Sequence, residues 1–307
     1  MKNSICVLGS LNMDIVLKVQ RMVRSGETIL AKGFDKIPGG KGANQAVAAR
    51  RLGANVYMVG KVGNDDNGNS LVEALKNDDV NLEYLYTDEK EPTGMAIIPV
   101  DDEGNNSIIV VSGSNMAITS EDIKKSEKAI INSKVLITQF ETPVEVSIEA
   151  FKMAKENEVI TILNPAPARK VPEELLKYTD IIAPNETEAY ELTGIKVDSE
   201  DTIKEAAKTF LDKGVKFVLI TLGERGAALI SRDEFCIVPA HKVKAIDTTA
   251  AGDSFIGGVA TKLCDEESLN YTVLTKAVTF ANKVSSIVVQ RKGAQTSLPT
   301  LEEVMKA

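Results

Sequence analysis

Hydrophobic and polar positions along the chain follow two alternating patterns. Short apolar runs, such as Ser4–Leu8 and residues 135–140, are typical of buried strands. Between them lie longer segments, such as 66–77 and 144–157, in which apolar residues recur roughly every three to four positions, as in amphipathic helices. This alternation of strand and helix predicts a mostly parallel central sheet covered by helices on both faces. We therefore expect an α/β fold, a three-layer α/β/α sandwich.

Two segments interrupt this alternation and predict a second, smaller sheet. Residues 15–36 alternate apolar and polar positions, as half-exposed strands do, and one of the predicted strands covers TILAKGF. Residues 93–100 and 106–111 flank the turn-forming sequence DDEGN, which indicates a hairpin. We predict that these segments, about 13–38 and 93–112, form a β lid that closes over a ligand and excludes water.

Several predicted helices have recognisable starts and stops. Thr119 and Asp122 have the spacing of a capping box and predict the start of a helix over 119–132. Gly53 marks the end of an earlier helix, and a long helix is predicted over 271–289.

Composition places the chain among ordinary globular proteins. Its 307 residues include 43% hydrophobic and 26% charged residues, so we expect one domain, 1–307, with a large core. The net charge of −8 and the lack of a basic face argue against a nucleic-acid partner. Three widely spaced cysteines without a C-x-x-C pair, and an N-terminal apolar run interrupted by Asn12 and Asp14, indicate a cytoplasmic protein without a membrane partner.

The stretch DTTAAGDSF, residues 247–255, is the strongest candidate for chemistry. Small residues at Ala250, Ala251 and Gly252 let backbone N–H groups converge at the start of a predicted helix, where an anion such as a phosphate binds well. Asp253 places a carboxylate at the same point, as a kinase requires of the base that deprotonates a hydroxyl. The alternative is that Asp253 only caps the helix. These residues alone leave both interpretations open.

A second glycine-rich stretch, PGGKGAN at 38–44, precedes another predicted helix. It is not a P-loop because no Ser or Thr follows Lys41, and it is not a dinucleotide fingerprint because Gln45 replaces the last glycine. The glycines indicate that something approaches the backbone closely, and Asn44 offers that group both a donor and an acceptor.

Polar residues also follow several predicted strands, at the edge of the sheet where ligands bind in α/β proteins. Asn12 and Asp14 follow the first strand and Glu141 follows 135–140, so they are candidates to hold a ligand rich in hydroxyls, or else simple turn formers. Asn185 and Glu188 either complement a helix dipole or orient the water shell of Mg²⁺. A single histidine and no cysteine pair exclude histidine-based catalysis and a zinc site.

Three motifs together resemble those of the ribokinase and phosphofructokinase-B family of carbohydrate kinases. They are GGKGAN at 39–44, NETE at 185–188 and DTTAAGD at 247–253, and the resemblance extends over the whole chain. Ala250 is a local departure, since much of the family has glycine there. The resemblance implies a ribokinase-like fold with a β lid. It also implies ATP-dependent phosphorylation of D-ribose at the 5-hydroxyl to give D-ribose 5-phosphate, with Mg²⁺ on the phosphates and K⁺ as a monovalent activator.

The resemblance also assigns roles to residues of this chain. It implies Asp253 as the catalytic base, Ala251 and Gly252 with the N–H of Asp253 as the anion hole, and Lys41 as a positive charge that meets the transferred phosphate. Implied sugar contacts are Asn12, Asp14, Gly40, Lys41, Asn44, Glu141 and Asp253. Implied nucleotide contacts are Asn185, Thr221, Gly223, Gly226, Gly252 and Asn282. Implied metal residues are Asp247, Thr249, Val288, Arg291, Gly293 and Ser297 for potassium, largely through carbonyl groups, and Asn185 and Glu188 indirectly for magnesium.

Several alternatives to a ribose kinase remain. The carboxylates of Asp14 and Glu141 would repel a phosphate, so a neutral sugar is favoured over a sugar phosphate. A kinase of fructose, deoxyribose or a nucleoside is the alternative within the same class. An inactive sugar-binding regulator would be expected to lack Asp253, Gly252 or Glu188, and all three are present. A Rossmann oxidoreductase fits the strand and helix alternation but lacks the fingerprint. The open edges of a β lid predict a homodimer.

Overall fold

The computed structural model describes residues 2–307, and this part of the chain forms a sheet of nine strands and a second sheet of four. The strands are β1 (Ser4–Leu8), β2 (Asn12–Lys18), β3 (Gly33–Gly39), β4 (Asn55–Gly63), β5 (Leu85–Asp88), β6 (Gly94–Val100), β7 (Ile109–Val111), β8 (Val135–Thr138), β9 (Ile160–Leu163), β10 (Ile181–Ile182), β11 (Phe217–Thr221), β12 (Ala227–Ile230) and β13 (Phe235–Val238). The helices are α1 (Lys41–Arg51), α2 (Asp66–Asn77), α3 (Ser120–Lys125), α4 (Glu127–Asn132), α5 (Val144–Glu156), α6 (Glu173–Lys177), α7 (Glu186–Thr193), α8 (Glu200–Leu211), α9 (Ala251–Cys264), α10 (Tyr271–Val288) and α11 (Leu301–Lys306).

The central sheet has the order β13-β12-β11-β10-β9-β8-β1-β4-β5. Its strands pair in parallel except at one edge, where β12 pairs antiparallel with both β11 and β13. Side chains of β1 alternate between two hydrophobic cores, with Ile5 and Val7 on one face and Cys6 and Leu8 on the other. The predicted three-layer α/β/α fold is therefore confirmed.

Helix α9 packs against both α1 and α10 on one face of the central sheet. Glycines in α9 allow this close packing. A β-carbon at Gly257 would lie 2.8 Å from the β-carbon of Ala48 in α1, and one at Gly258 would lie 3.1 Å from the α-carbon of Ala281 in α10. The N-terminus of α9 is thereby held close to that of α1.

The small sheet has the order β3-β2-β6-β7, and its β6–β7 pair confirms the predicted hairpin. The predicted strand over residues 28–34 has the wrong bounds, because β3 begins only at Gly33 and continues to Gly39. The reason lies in its partner: β3 pairs with β2 from Lys18 opposite Gly33 to Asn12 opposite Gly39, and β2 itself ends at Lys18. The preceding residues have no neighbouring strand to pair with.

The helix predicted over 119–132 is interrupted at Ser126, which separates α3 from α4. The hydroxyl of Ser126 donates to the Asp122 carbonyl at 2.8 Å and also contacts the Tyr86 hydroxyl at 2.9 Å. Serine hydroxyls that bond to the preceding turn bend helices in this way. The predicted capping box at Thr119 and Asp122 is present. Throughout residues 2–307, the helices are too short or too polar to cross a membrane.

Candidate active site

A cleft of about 200 Å³ opens where the carboxyl ends of the parallel strands meet the N-termini of α1, α7 and α9. Six of the predicted site residues line it together: Lys41, Asn185, Glu188, Thr221, Gly252 and Asp253. The other lining residues are Asn164, Ala166, Ala183, Thr248, Ala250 and Ile256. The motifs that are far apart in the sequence therefore meet at one site.

Asp253 is 9% exposed and lies in the first turn of α9. Its Oδ2 accepts a hydrogen bond from Nδ2 of Asn44 at 3.0 Å, and its Oδ1 accepts one from Nε2 of Gln45 at 3.0 Å. The alternative that Asp253 caps the helix is wrong, because Ala250 occupies the N-cap position and both carboxylate oxygens bond to side chains of α1. The carboxylate is thus fixed at the cleft wall.

The backbone at the start of α9 offers N–H groups to the cleft. Ala250 has a left-handed conformation with φ of 60°, which turns the chain sharply into the helix. The N–H of Ala251 donates to the Thr248 carbonyl at 3.2 Å, whereas within residues 2–307 no backbone acceptor takes the N–H of Gly252 or of Asp253. Of the implied anion hole, Gly252 and Asp253 therefore hold the free donors.

Lys41 lies among four carboxylates, those of Asp253, Glu141, Glu188 and Asp14. Burial opposes its positive charge, but these carboxylates outweigh burial and raise the pKa of Lys41 above its ordinary value. Lys41 therefore stays charged at the cleft.

The pKa of Asp14 is raised to about 7, first by burial and then by the carboxylates of Glu141 and Asp253. Glu141 is held in place by the hydroxyl of Ser10, and its Oε2 also accepts from the N–H of Lys41 at 3.3 Å. Asp14, Glu141 and Asp253 therefore share one region, as the sequence led us to expect, and Ser10 is a residue that the sequence reasoning missed.

The glycines of the 39–44 motif allow α1 to approach the strand that carries Asn12 and Asp14. Gly40 has φ of 92°, and a β-carbon there would lie 2.7 Å from the backbone nitrogen of Asn12. A β-carbon at Gly39 would overlap the carboxylate of Asp14. The close approach that the glycines predicted is to the chain itself.

Two asparagines present opposite hydrogen-bonding groups. Asn115, which is almost fully buried, accepts the N–H of Leu11 at 2.9 Å on Oδ1, so its Nδ2 is the donor to Asn12 Oδ1 at 2.8 Å. Asn12 is therefore left with its Nδ2 as a donor. Asn44 donates Nδ2 to Asp253, and its buried Oδ1 has no partner anywhere in residues 2–307. A ligand hydroxyl would satisfy either group.

The remaining implied nucleotide residues differ in position. Thr221 lines the cleft at the end of β11 and pairs with Asn185. Gly223 and Gly226 shape the following turn, with φ of 56° and 99°. Asn282 is buried and donates Nδ2 to the carbonyls of Val238 at 2.9 Å and Pro239 at 3.2 Å. Its amide N–H groups therefore brace the end of β13.

Asn185 and Glu188 form a capping box at the start of α7, so the structural interpretation of this pair holds. Glu188 also faces Lys41 and Asp253, and its pKa is raised, mainly by burial. Across residues 2–307 no group of three or more His, Cys, Asp or Glu side chains is arranged to hold a metal. The single carboxylate of Glu188 and the oxygen of Asn185 suit a Mg²⁺ that keeps several waters and is held mainly by phosphates.

The residues implied for potassium lie near the end of α10. Oδ1 of Asp247 accepts from the N–H and hydroxyl of Thr249, at 2.9 and 2.7 Å, and Oδ2 accepts from the N–H of Gly293 at 2.9 Å. Despite burial, these hydrogen bonds hold the pKa of Asp247 below its ordinary value. The N–H groups of residues 246 and 247 donate to the Val289 carbonyl, beside Val288. The oxygen atoms available here suit a hard cation.

Two other residues of this set are arranged differently. The side chain of Arg291 forms an ion pair with Glu303 at 2.6 Å, on the surface, so only its backbone is available to the segment. Ser297 is fully buried and its hydroxyl donates to the Ala294 carbonyl at 2.7 Å.

The sequence reasoning also missed buried amide side chains in and behind the cleft wall. Gln45 contacts Asp253, and Gln139 and Asn164 contact Gln45. The available signal was a polar residue inside an alanine-rich, otherwise buried helix, where an amide requires partners. Asn115 was missed because it lies in a single short turn of 3₁₀ helix, Gly113–Ala117, which is too short to show a periodic pattern.

Comparison with known proteins gives concordant matches. A model of the pfkB family of carbohydrate kinases matches residues 2–301. The chain is 44% identical over 305 residues to a ribokinase of Staphylococcus aureus, and the match covers 99% of each chain. It is 45% identical over 302 residues to a bifunctional ribokinase/ribose-5-phosphate isomerase A of Fructilactobacillus sanfranciscensis, and the match covers 98% of this chain but 55% of that relative. The ribokinase of Arabidopsis thaliana complexed with ribose and ATP matches with a TM-score of 0.91 at 34% identity, covering 100% of this chain and 98% of that one.

Proposed function

The chain belongs to the pfkB family of carbohydrate kinases, and from this premise we propose that it phosphorylates D-ribose at the 5-hydroxyl with ATP to give D-ribose 5-phosphate. The observation that best supports this proposal is the position of Asp253. Its buried carboxylate is oriented by Asn44 and Gln45 and lies beside the free N–H groups at the start of α9. A base next to an anion site is what phosphoryl transfer to a hydroxyl requires.

In this proposal each residue has a defined task. Asp253 accepts the proton of the sugar hydroxyl, which becomes the nucleophile in an in-line attack on the γ-phosphorus of ATP. The N–H groups of Gly252 and Asp253 and the ammonium of Lys41 stabilise the negative charge on the transferred group. Mg²⁺, when bound with the nucleotide, neutralises charge on the phosphates, and Asn185 and Glu188 would orient its waters. Asp247 and its neighbours would hold K⁺.

The charges around the sugar site support a neutral acceptor. Asp14 and Glu141 lie beside Asp253, and this concentration of carboxylates disfavours a substrate that already carries a phosphate. The donor on Asn12 and the acceptor on Asn44 match hydroxyl groups, which both donate and accept. A kinase of fructose, deoxyribose or a nucleoside is the second candidate, because its acceptor presents similar hydroxyls.

The test is ADP release from Mg-ATP in the presence of K⁺, with D-ribose, D-fructose, 2-deoxy-D-ribose and adenosine as acceptors. We expect ribose to be preferred and Asp253→Asn to lower kcat by about 100-fold or more. Asp265→Asn, at the exposed C-terminal end of α9, is the matched control and should behave as wild type. Omission of Mg²⁺ should abolish turnover, and replacement of K⁺ by a larger organic cation should lower it. Preference for another acceptor would overturn the choice of sugar.

We also propose that the small sheet is a lid and a dimer interface. Its edge strands β3 and β7 are unpaired on their outer sides within residues 2–307, and Phe34, Ile108 and Ile109 are 60–63% exposed. A second copy of the chain would cover these side chains. Light scattering after size-exclusion chromatography should give a dimer for wild type, a monomer for Ile109→Lys, and a dimer for the control Met305→Lys on α11. A wild-type monomer would contradict the proposal.

The cytoplasm is the compartment we propose for this activity, since ATP is available there. The cysteines of the described chain, Cys6, Cys236 and Cys264, are all free, in keeping with a reducing compartment.

A further inference from the structure

Gln45 is a fully buried amide inside α1, one residue after the Asn44 that contacts Asp253. Its Nε2 donates to Asp253 Oδ1 at 3.0 Å and to Asn164 Oδ1 at 3.1 Å. Its Oε1 accepts from Nε2 of Gln139 at 2.6 Å. Both amide hydrogens and the amide oxygen of Gln45 are therefore used, so its side chain is held in a single orientation.

The direction of these hydrogen bonds is fixed by a backbone carbonyl. Asn164 donates Nδ2 to the carbonyl of Ala183 at 3.1 Å, and a carbonyl can only accept. Oδ1 of Asn164 is consequently an acceptor, so the group of Gln45 that faces it must be the donor Nε2. The second hydrogen of this Nε2 then points to Asp253. The network therefore presents a donor, and never an acceptor, to Oδ1 of the carboxylate.

We propose that Gln45 is a positioning residue for the catalytic base. By bonding Oδ1 while Asn44 bonds Oδ2, it fixes the rotation of the Asp253 carboxylate and keeps a lone pair directed at the sugar hydroxyl. This inference rests on the proposed kinase function. Gln45 acts through Asp253. The cleft is lined by Asp253 and Asn164, and Gln45 lies behind these two side chains.

The composition of α1 argues against a packing role for this amide. Apart from Gly42 and Asn44, the other buried residues of α1 are all apolar: Ala43, Ala46, Val47, Ala48 and Ala49. An apolar side chain of similar volume would fill the same space without needing partners. Instead a second buried amide, Gln139, donates a hydrogen bond to Gln45, although Oε1 of Gln139 has no partner in the described part of the chain.

The first test replaces Gln45 with the similarly shaped methionine, which removes all three hydrogen bonds. We expect Gln45→Met to lower kcat roughly 10- to 100-fold, with the KM for the sugar within about threefold of wild type. The matched control is Gln139→Met, which removes a bond to Gln45 but touches neither Asp253 nor the cleft. It should lower kcat less than Gln45→Met does. The acceptor is D-ribose, or whichever neutral sugar the wild type phosphorylates fastest.

The second test, Gln45→Glu, separates positioning from packing by its pH dependence. The introduced carboxyl group still donates to Asp253 when it is protonated, whereas the ionised carboxylate has no donor and repels Asp253. Other charged groups near Asp253 are Asp14 of β2, Lys41 of α1, Glu141 after β8 and Glu188 of α7, and they are common to both enzymes. The ratio of kcat/KM for this variant to that of wild type should therefore fall as pH rises from about 6 to about 9, with the unfolding temperature followed over the same range.

The outcomes distinguish the inference from the function it rests on. Two results would overturn the role of Gln45 alone, provided that the wild type phosphorylates a sugar. One is a kcat of Gln45→Met within threefold of the wild-type value. The other is a ratio of kcat/KM, Gln45→Glu to wild type, that does not change with pH while both proteins stay folded. A wild-type protein that phosphorylates none of the sugars overturns both. A lower kcat with an unchanged KM and a pH-dependent ratio supports the inference.

Discussion

At the scale of single residues, the fold strongly changes the pKa of the Asp14 carboxyl group. Burial and two neighbouring carboxylates raise its pKa from an ordinary 3.8 to about 7. Between these values the folded chain holds a proton that the unfolded chain has released. The contribution of Asp14 to the stability of the fold is therefore largest below about pH 4 and decreases as pH rises to about 7.

Replacing Asp14 with Asn removes this pH-dependent penalty. We expect Asp14→Asn to raise the free energy of unfolding by roughly 1–3 kcal/mol at about pH 8 and to leave it almost unchanged at about pH 4. Urea unfolding at both pH values measures the difference. Asp35→Asn, at an exposed position on the neighbouring strand β3, is the control and should show no such dependence. An equal effect of Asp14→Asn at both pH values would contradict the prediction.

At the scale of elements, the site depends on how closely α9 approaches α1. Gly257 permits this approach because a β-carbon there would lie 2.8 Å from the β-carbon of Ala48, whereas one at Gly252 would meet nothing within 4 Å. Asp253 of α9 can reach Asn44 and Gln45 of α1 only at this separation.

The two glycines of α9 should therefore respond differently to alanine. We expect Gly257→Ala to lower the free energy of unfolding by about 1–2 kcal/mol, since overpacking outweighs the gain in helix propensity. For Gly252→Ala on the same helix, we expect a free energy of unfolding equal to or higher than that of wild type. Equilibrium urea unfolding of both variants at one pH makes the comparison. Equal stabilities would mean that α1 yields to the added methyl group.

At the scale of the whole molecule, the sugar site is assembled where the two sheets meet. Asn12 and Asp14 come from β2 of the small sheet, Asn44 from α1, and Glu141 from the loop after β8 of the central sheet. Asn115, which follows β7, fixes the start of β2, since it bonds both the backbone of Leu11 and the side chain of Asn12.

Changing Asn115 to Asp should reverse the orientation of the Asn12 amide. An aspartate still accepts from Leu11 but cannot donate to Asn12, so Asn12 would turn its Nδ2 inward and present an oxygen to the sugar. We expect a KM for the sugar about tenfold higher, with a smaller change in kcat. Asn132→Asp, at the exposed end of α4, is the control in the same steady-state assay. An unchanged KM in a folded Asn115→Asp protein would restrict Asn115 to a structural role.

The sequence by itself determined the succession of strands and helices along the chain, the hairpin of the small sheet and six of the residues that line the cleft. Local periodicity indicates which face of each segment is buried, and glycine and aspartate at helix starts have local geometric requirements. These features can therefore be predicted from the sequence alone. The limits of β3 and the interruption at Ser126 could not be predicted from the sequence. The limits of β3 depend on the length of β2, and the interruption depends on the contact of Ser126 with Tyr86.

Only the tertiary structure decided the state and surroundings of the site residues. Gln45 and Asp253 are 208 positions apart, and Asn115 and Asn12 are 103 apart, so no local pattern relates them. The raised pKa of Asp14 likewise needs Glu141 and Asp253 to be brought to it and water to be excluded. Hydrogen-bond direction and ionisation depend on distances between segments, and packing alone sets those distances.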